Sequence, residues 1–106
     1  MNTRIEQILE FLKEDPDDSF MNYALGLEYV KENKLEQAIK LFQKVLEIDA
    51  DYVACYYQLG RVYQLTGDIE KASDIYTKGL DVTKNNPNRK AYKELKEAYN
   101  LMLDDL

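Results

Sequence analysis

The sequence contains no histidine, no tryptophan and a single cysteine, Cys55. One cysteine excludes an intrachain disulfide and suits a reducing compartment. Without histidine, a His/Cys metal site has almost no ligands to draw on. Catalysis is equally short of parts, because Cys55 falls within a helical stretch with no imidazole to activate it. Cys55 is therefore expected to be a small packing residue. No metal, no cofactor and no catalytic residue is expected, and the chain does not read as an enzyme. Prolines are limited to Pro16 and Pro87, and glycines to four. Such sparse punctuation favours helices joined by short turns. No stretch alternates apolar and polar residues with β-branched enrichment, so strands are not expected. No apolar run approaches the roughly 18 residues of a membrane span. The opening "MNTRIEQILEFLKEDP" lacks a basic region ahead of an apolar run, so no secretory signal is expected and the chain reads as cytoplasmic. Positive charge is also scarce: 14 Lys and Arg face 20 Asp and Glu, for a net charge of −6. Nucleic-acid binders usually carry a basic stripe, and the same acidity disfavours adsorption to anionic lipid, so neither partner is expected.

What is present is a globular composition. The hydrophobic fraction is 45% and the charged fraction 32% over 106 residues, enough for one domain. Apolar residues recur at helical spacing. Ile5, Ile8, Leu9 and Leu12 share one face of a first helix. Pro16 then ends it, since the residue before a proline is driven out of the α region. A second helix is predicted from Ser19 to Glu32, capped by Asp18 or Ser19. Asn33 and Lys34 turn the chain. A third covers Leu35 to Ile48, with Leu35, Ala38, Ile39, Phe42, Val45 and Leu46 inward. A fourth runs from Val53 to Leu65, ended by Gly67 in a left-handed conformation. A fifth runs from Ile69 to Lys84 and a sixth from Arg89 to Leu103.

Residues 23–30, "YALGLEYV", return 34 residues later as "YQLGRVYQ" at 57–64. With residues 19–52 set above 53–86, eight positions are identical: Tyr23/Tyr57, Leu25/Leu59, Gly26/Gly60, Tyr29/Tyr63, Glu36/Glu70, Ala38/Ala72, Lys44/Lys78 and Leu46/Leu80. Average composition predicts roughly two. A period of this length marks a solenoid of helical hairpins. Glycine inside a helix costs about 1 kcal/mol relative to alanine, so keeping it twice implies close helix approach. The expected partners of Gly26 and Gly60 are Ala38 and Ala72.

The pattern resembles the tetratricopeptide repeat, a 34-residue helix–turn–helix unit. Leu25, Gly26, Tyr29, Ala38 and Phe42 match in one copy, and Tyr56, Leu59, Gly60, Tyr63, Ala72 and Tyr76 in the other. Departures are Asn22 for the leading aromatic, Val45 and Gly79 for a later alanine, and Ala50 and Lys84 for the closing proline. Ile8, Phe11 and Leu12 fall where a second repeat helix packs. Tyr92, Leu95 and Tyr99 reproduce the spacing of Tyr56, Leu59 and Tyr63 after an insertion near residues 84–88, with Lys96 at the glycine site. The resemblance implies one domain organised as half, whole, whole, half: a half-repeat helix over 3–16, repeats over 19–52 and 53–86, and a capping helix over 88–104. The implied fold class is all-α, a tetratricopeptide-type α-solenoid of six antiparallel helices in a right-handed superhelix.

The family resemblance also implies a protein–protein interaction module, a scaffold or adaptor that binds a protein or peptide of unknown identity on a concave face lined by first helices. The groove candidates are Tyr23, Leu27, Tyr57, Gln58, Arg61, Gln64 and Lys90, with Ala24, Val30, Lys31, Leu65, Lys93, Glu94 and Glu97 around them. Tyrosine and arginine are residue types that dominate interface energetics. Tyr29 and Tyr63 are expected to pack between repeats. Some relatives clamp chaperone carboxylates with a Lys/Asn/Asn/Lys/Arg set. The corresponding residues here are Tyr23, Leu27, Gln58, Lys90 and Glu94, of which only Lys90 matches, so no clamp is expected. The second reading is a structural, self-associating protein. Leu101, Met102 and Leu103 are expected to be partly unpaired, and the two half repeats could complete each other in a weak homodimer.

Overall fold

A computed structural model describes residues 2–87 and 89–106. Among the described residues there are six helices and no strand: α1 (Thr3–Glu14), α2 (Ser19–Lys31), α3 (Leu35–Ile48), α4 (Val53–Leu65), α5 (Ile69–Thr83) and α6 (Lys90–Asp104). The bounds of α3 and α4 are those expected from the sequence, and the other helices differ by one or two residues at an end. The expected insertion near residues 84–88 includes Asn88, which lies outside the described residues.

Local chemistry explains where the helices begin. The Asn2 side chain accepts from the Ile5 N–H at 3.1 Å, Asp18 from Met21 at 2.8 Å and Asp68 from Lys71 at 3.2 Å. Each satisfies one amide that a helix start leaves without a partner. The turns within the two repeats are the same object. Asn33 (φ 58°) and Gly67 (φ 83°) both adopt the left-handed conformation. The following N–H reaches back to the Tyr29 carbonyl at 2.8 Å and to the Tyr63 carbonyl at 2.9 Å, 34 residues apart. The Asn33 and Gly67 amides donate to Val30 and Gln64, each at 3.0 Å. This pair of bonds is the Schellman closure, and asparagine substitutes for glycine in the first copy.

The chain forms two compact units, one ending at Tyr52 and one beginning at Val53. In the first, α1 packs on α2 and α2 on α3. Its core holds Ile5, Ile8, Ala24, Leu25, Ala38, Ile39, Phe42 and Val45. In the second, α4 packs on α5, α5 on α6, and α4 also touches α6. Its core holds Tyr56, Leu59, Val62, Tyr63, Ala72, Tyr76, Leu95 and Met102.

Four packing expectations change. The glycines make room for rings, not for the alanines. A Cβ on Gly26 would come within 2.5 Å of Phe42 Cε1, and one on Gly60 would collide with the Tyr76 ring. Ala38 and Ala72 are nevertheless fully buried. Gly79, a departure from the family pattern, is a third close approach: its Cβ would lie 2.7 Å from Tyr56 Cβ and 3.1 Å from Leu95 Cδ1. Where the second unit pairs bulky Tyr56 with Gly79, the same register in the first holds Asn22 and Val45. Size has moved from the first helix to the second. Leu9 and Phe11, expected inward, are each 43% exposed, since within its unit α1 packs mainly on α2. Met102, expected to be partly unpaired, is buried; Leu101 and Leu103 beside it are exposed. Tyr63 is buried and Tyr29 half-buried.

Two buried polar groups had no signal in the repeat pattern. Asn22 is 2% exposed, and its amide donates to the Pro16 carbonyl at 3.0 Å and the Asp18 carbonyl at 2.9 Å. It ties the α1–α2 turn to the start of α2. Glu28 is 6% exposed and meets the Arg4 guanidinium at 2.9 Å and Lys31 Nζ at 3.6 Å, which fastens α1 to α2. The counterpart of Glu28 in the second unit is Val62, buried without charge.

Candidate partner-binding surfaces

In the first unit, Tyr23 is half-buried on α2. Its ring lies 5.0 Å from the Tyr52 ring and 5.7 Å from that of Phe42, both tilted, a geometry that favours aromatic contact. Phe42 is held in turn by the close approach to Gly26. The outer edge of Tyr23 lines a cleft of about 280 Å³ with Phe20, Ala24, Leu27, Glu28 and Lys31. Tyr23 and Leu27 are therefore brought together. Phe20, 61% exposed at its edge, escaped the sequence reading because its position in the repeat carries no motif residue.

In the second unit, Tyr57 occupies the same repeat position and also lines a cleft of about 280 Å³. Val53 and Ala54 of α4 and Ala91, Glu94 and Leu95 of α6 complete it. Five of the six lining residues are apolar or aromatic, and Glu94 is the one charge. Arg61, one turn on, places its guanidinium carbon 5.9 Å from the centre of the Tyr57 ring, within cation–π range. Gln58 is half-buried, while Arg61 and Lys90 are exposed. Gln64 is placed differently: its side-chain carbonyl accepts the hydroxyl proton of Tyr76. That bond engages Gln64 in packing α4 on α5.

Burial pushes the Cys55 thiol up to about 12, so the nucleophilic thiolate is not populated near neutrality. Among the described residues no group of three or more His, Cys, Asp or Glu side chains could hold a metal ion. No helix among them is long and apolar enough to cross a membrane.

Comparison with known proteins supports the repeat. A family model described as "TPR repeat" matches residues 26–67, and another, "Tetratricopeptide repeat", matches 53–86. The TPR repeat-containing protein PA0015 of Pseudomonas aeruginosa is 28% identical over 91 residues, covering 86% of this chain and 87% of that one. The crystal structure of a tetratricopeptide repeat domain protein from Salinibacter ruber is 33% identical, with a TM-score of 0.76, over 82% of this chain and 97% of that one. At 16% identity, the TPR2B domain of yeast Sti1, solved in complex with pHsp70, shares the fold with a TM-score of 0.87 over 96% of this chain and 82% of that one. The two 34-residue copies, their identical turn closures and these matches lead to one conclusion: the chain is an all-α solenoid protein of the tetratricopeptide repeat family.

Proposed function

We propose that this protein is a non-catalytic interaction module whose α4–α6 cleft takes an apolar anchor side chain from a peptide or partner protein. One observation carries the reading: Tyr57 stands in the wall of a cleft whose only charged lining residue is Glu94, with the Arg61 guanidinium poised over its ring. A half-buried tyrosine beside an arginine offers residue types enriched at interface hot spots. Glu94 favours a cation on the ligand beside the anchor. Tyr23 and Leu27 form the corresponding surface of the first unit, where Lys31 and Glu28 leave the charge mixed. The domain architecture agrees, since tetratricopeptide repeats mediate protein–protein interaction. The Sti1 domain was solved with pHsp70, yet only Lys90 here suits a carboxylate clamp and Glu94 would repel an acidic terminus, so an acidic chaperone tail is not the proposed ligand. The lone reduced cysteine fits work in the cytoplasm.

The test is selection of peptides from a random library, with binding mapped by amide chemical shifts. Selected peptides should carry an apolar anchor and shift α4 and α6 resonances. Tyr57→Ala with Arg61→Ala should weaken them at least about thirtyfold, the scale of a hot-spot loss of about 2 kcal/mol. Unchanged binding by the double variant would move the interface elsewhere.

A further inference from the structure

A second surface lies on the far side of α6, away from the Tyr57 cleft. There Arg89, Tyr92, Lys93, Lys96, Glu97 and Leu101 border an open groove of about 500 Å³. Tyr92 lies between two cations: the Arg89 guanidinium carbon is 4.2 Å from its ring centre and Lys96 Nζ 5.8 Å. By register, Tyr92 and Lys96 correspond to Tyr56 and Gly60, the residues of α4 that receive Gly79 and Tyr76 of α5. The groove thus sits where a first helix receives a second helix. α1 is a helix of the second kind. Ile8 and Phe11 lie 68 residues before Tyr76 and Gly79, and Phe11 is 43% exposed where its counterpart Val45 is fully buried.

We propose that the α6 groove receives α1 of a second copy of this chain, antiparallel, with Phe11 over Tyr92. Net charge at the helix ends favours this occupant and direction; Lys13, paired with Glu10 on α1, and Glu97 in the groove run against it. Antiparallel docking sets Glu10, Glu14 and Asp15, toward the end of α1, against Arg89, Lys93 and Lys96 at the start of α6. It turns Arg4, which already pairs with Glu28 of its own chain, toward the end of α6 that carries Asp104 and Asp105. The parallel alternative opposes acid to acid at one end and base to base at the other. Lys96 holds the docked helix farther out than glycine would, and the two rings fill that space. Tyr56 and Gly79 make the tight version of the same contact. Each copy presents two different faces, so the contact is heterologous and adds copies head to tail. It leaves the Tyr57 cleft open, so failure here and failure of the peptide-binding reading are separate results.

Light scattering and sedimentation across a series up to hundreds of micromolar test it. Wild-type mass should rise with concentration. Lys93→Glu with Lys96→Glu should weaken association at least about tenfold, as should Glu10→Lys with Glu14→Lys. The latter variant brings the net charge closer to zero, so general repulsion would not explain its loss. All four sites are exposed, and helical circular dichroism should be unchanged. An equimolar mixture of the two variants should associate again, because each supplies the charge the other now faces. A wild-type chain that stays monomeric, including one whose α6 groove takes a different protein, overturns the proposal. So do variants that associate like wild type, or a mixture that fails to regain mass.

Discussion

The hydroxyl of Tyr76 donates to the side-chain carbonyl of Gln64, and the same two register positions in the other unit hold Phe42 and Val30. One copy uses a polar pair and the other an apolar pair to join the second helix to the first. The bond is part-buried and Tyr76 itself is fully buried, so it is linked to core packing. Gln64→Val alone should destabilise the chain by about 1–3 kcal/mol, the cost of an unsatisfied buried hydroxyl. Tyr76→Phe should cost about 0.5–1.5 kcal/mol. The double variant, which copies the first unit, should be less destabilised than the sum of the two. Urea unfolding of the four proteins in a double-mutant cycle measures the coupling.

Gly79→Ala sets helix propensity against space. Alanine gains about 1 kcal/mol in an exposed helix. Here its Cβ would lie 2.7 Å from Tyr56 Cβ, an atom fixed to the backbone that no rotamer can move. Overpacking of this kind costs about 1–3 kcal/mol, so a net loss of stability is expected. Thermal unfolding reads it directly, and a variant at or above the wild-type midpoint contradicts the close approach.

Asn22→Ala should destabilise the first unit by about 1–3 kcal/mol, because two part-buried amide bonds go and the Pro16 carbonyl loses a donor. Lys44 also reaches that carbonyl, at 2.9 Å, and limits the loss. Hydrogen exchange should show the effect at residues 16–22, with protection in α5 and α6 unchanged.

Alkaline pH should unfold the protein in a defined window. Burial raises the Cys55 thiol from 9.0 to about 12. Burial, followed by the neighbouring Tyr57, raises the Tyr76 hydroxyl from 10.0 to about 12. In each group the folded value lies above the unfolded one. The associated stability is complete below pH 9 and is lost as pH climbs through the folded values. Cys55→Ala should flatten the early part of the decline and Tyr76→Phe the part above pH 10. Denaturant midpoints measured from pH 8 to pH 11.5 report both. Near pH 8, a disulfide reagent should label Cys55 only as fast as the chain opens.

Periodicity alone determined the helices. Sterics at Pro16, the cap at Asp18 and the left-handed residue at Gly67 act over a few residues, so their consequences are legible in sequence. The 34-residue identity also marked Gly26 and Gly60 as places of close approach. Which atoms fill that space was decided elsewhere, because the small residue and the ring share one face of the following helix, about a turn apart. Phe42 and Tyr76 won over Ala38 and Ala72. Gly79 and Asn22 looked like lapses from a pattern. Their roles appear only once Tyr56 stands opposite one and the Pro16 carbonyl beside the other. The same holds for the candidate site. Tyr23 and Tyr57 were marked by repetition, but half of the apolar wall around Tyr57 comes from Ala91 and Leu95, more than thirty residues away. Gln64, which sequence placed on the open face, is engaged with Tyr76. Local rules set which residues become helical; contact between distant residues, a property of the packed chain, set what each helix faces.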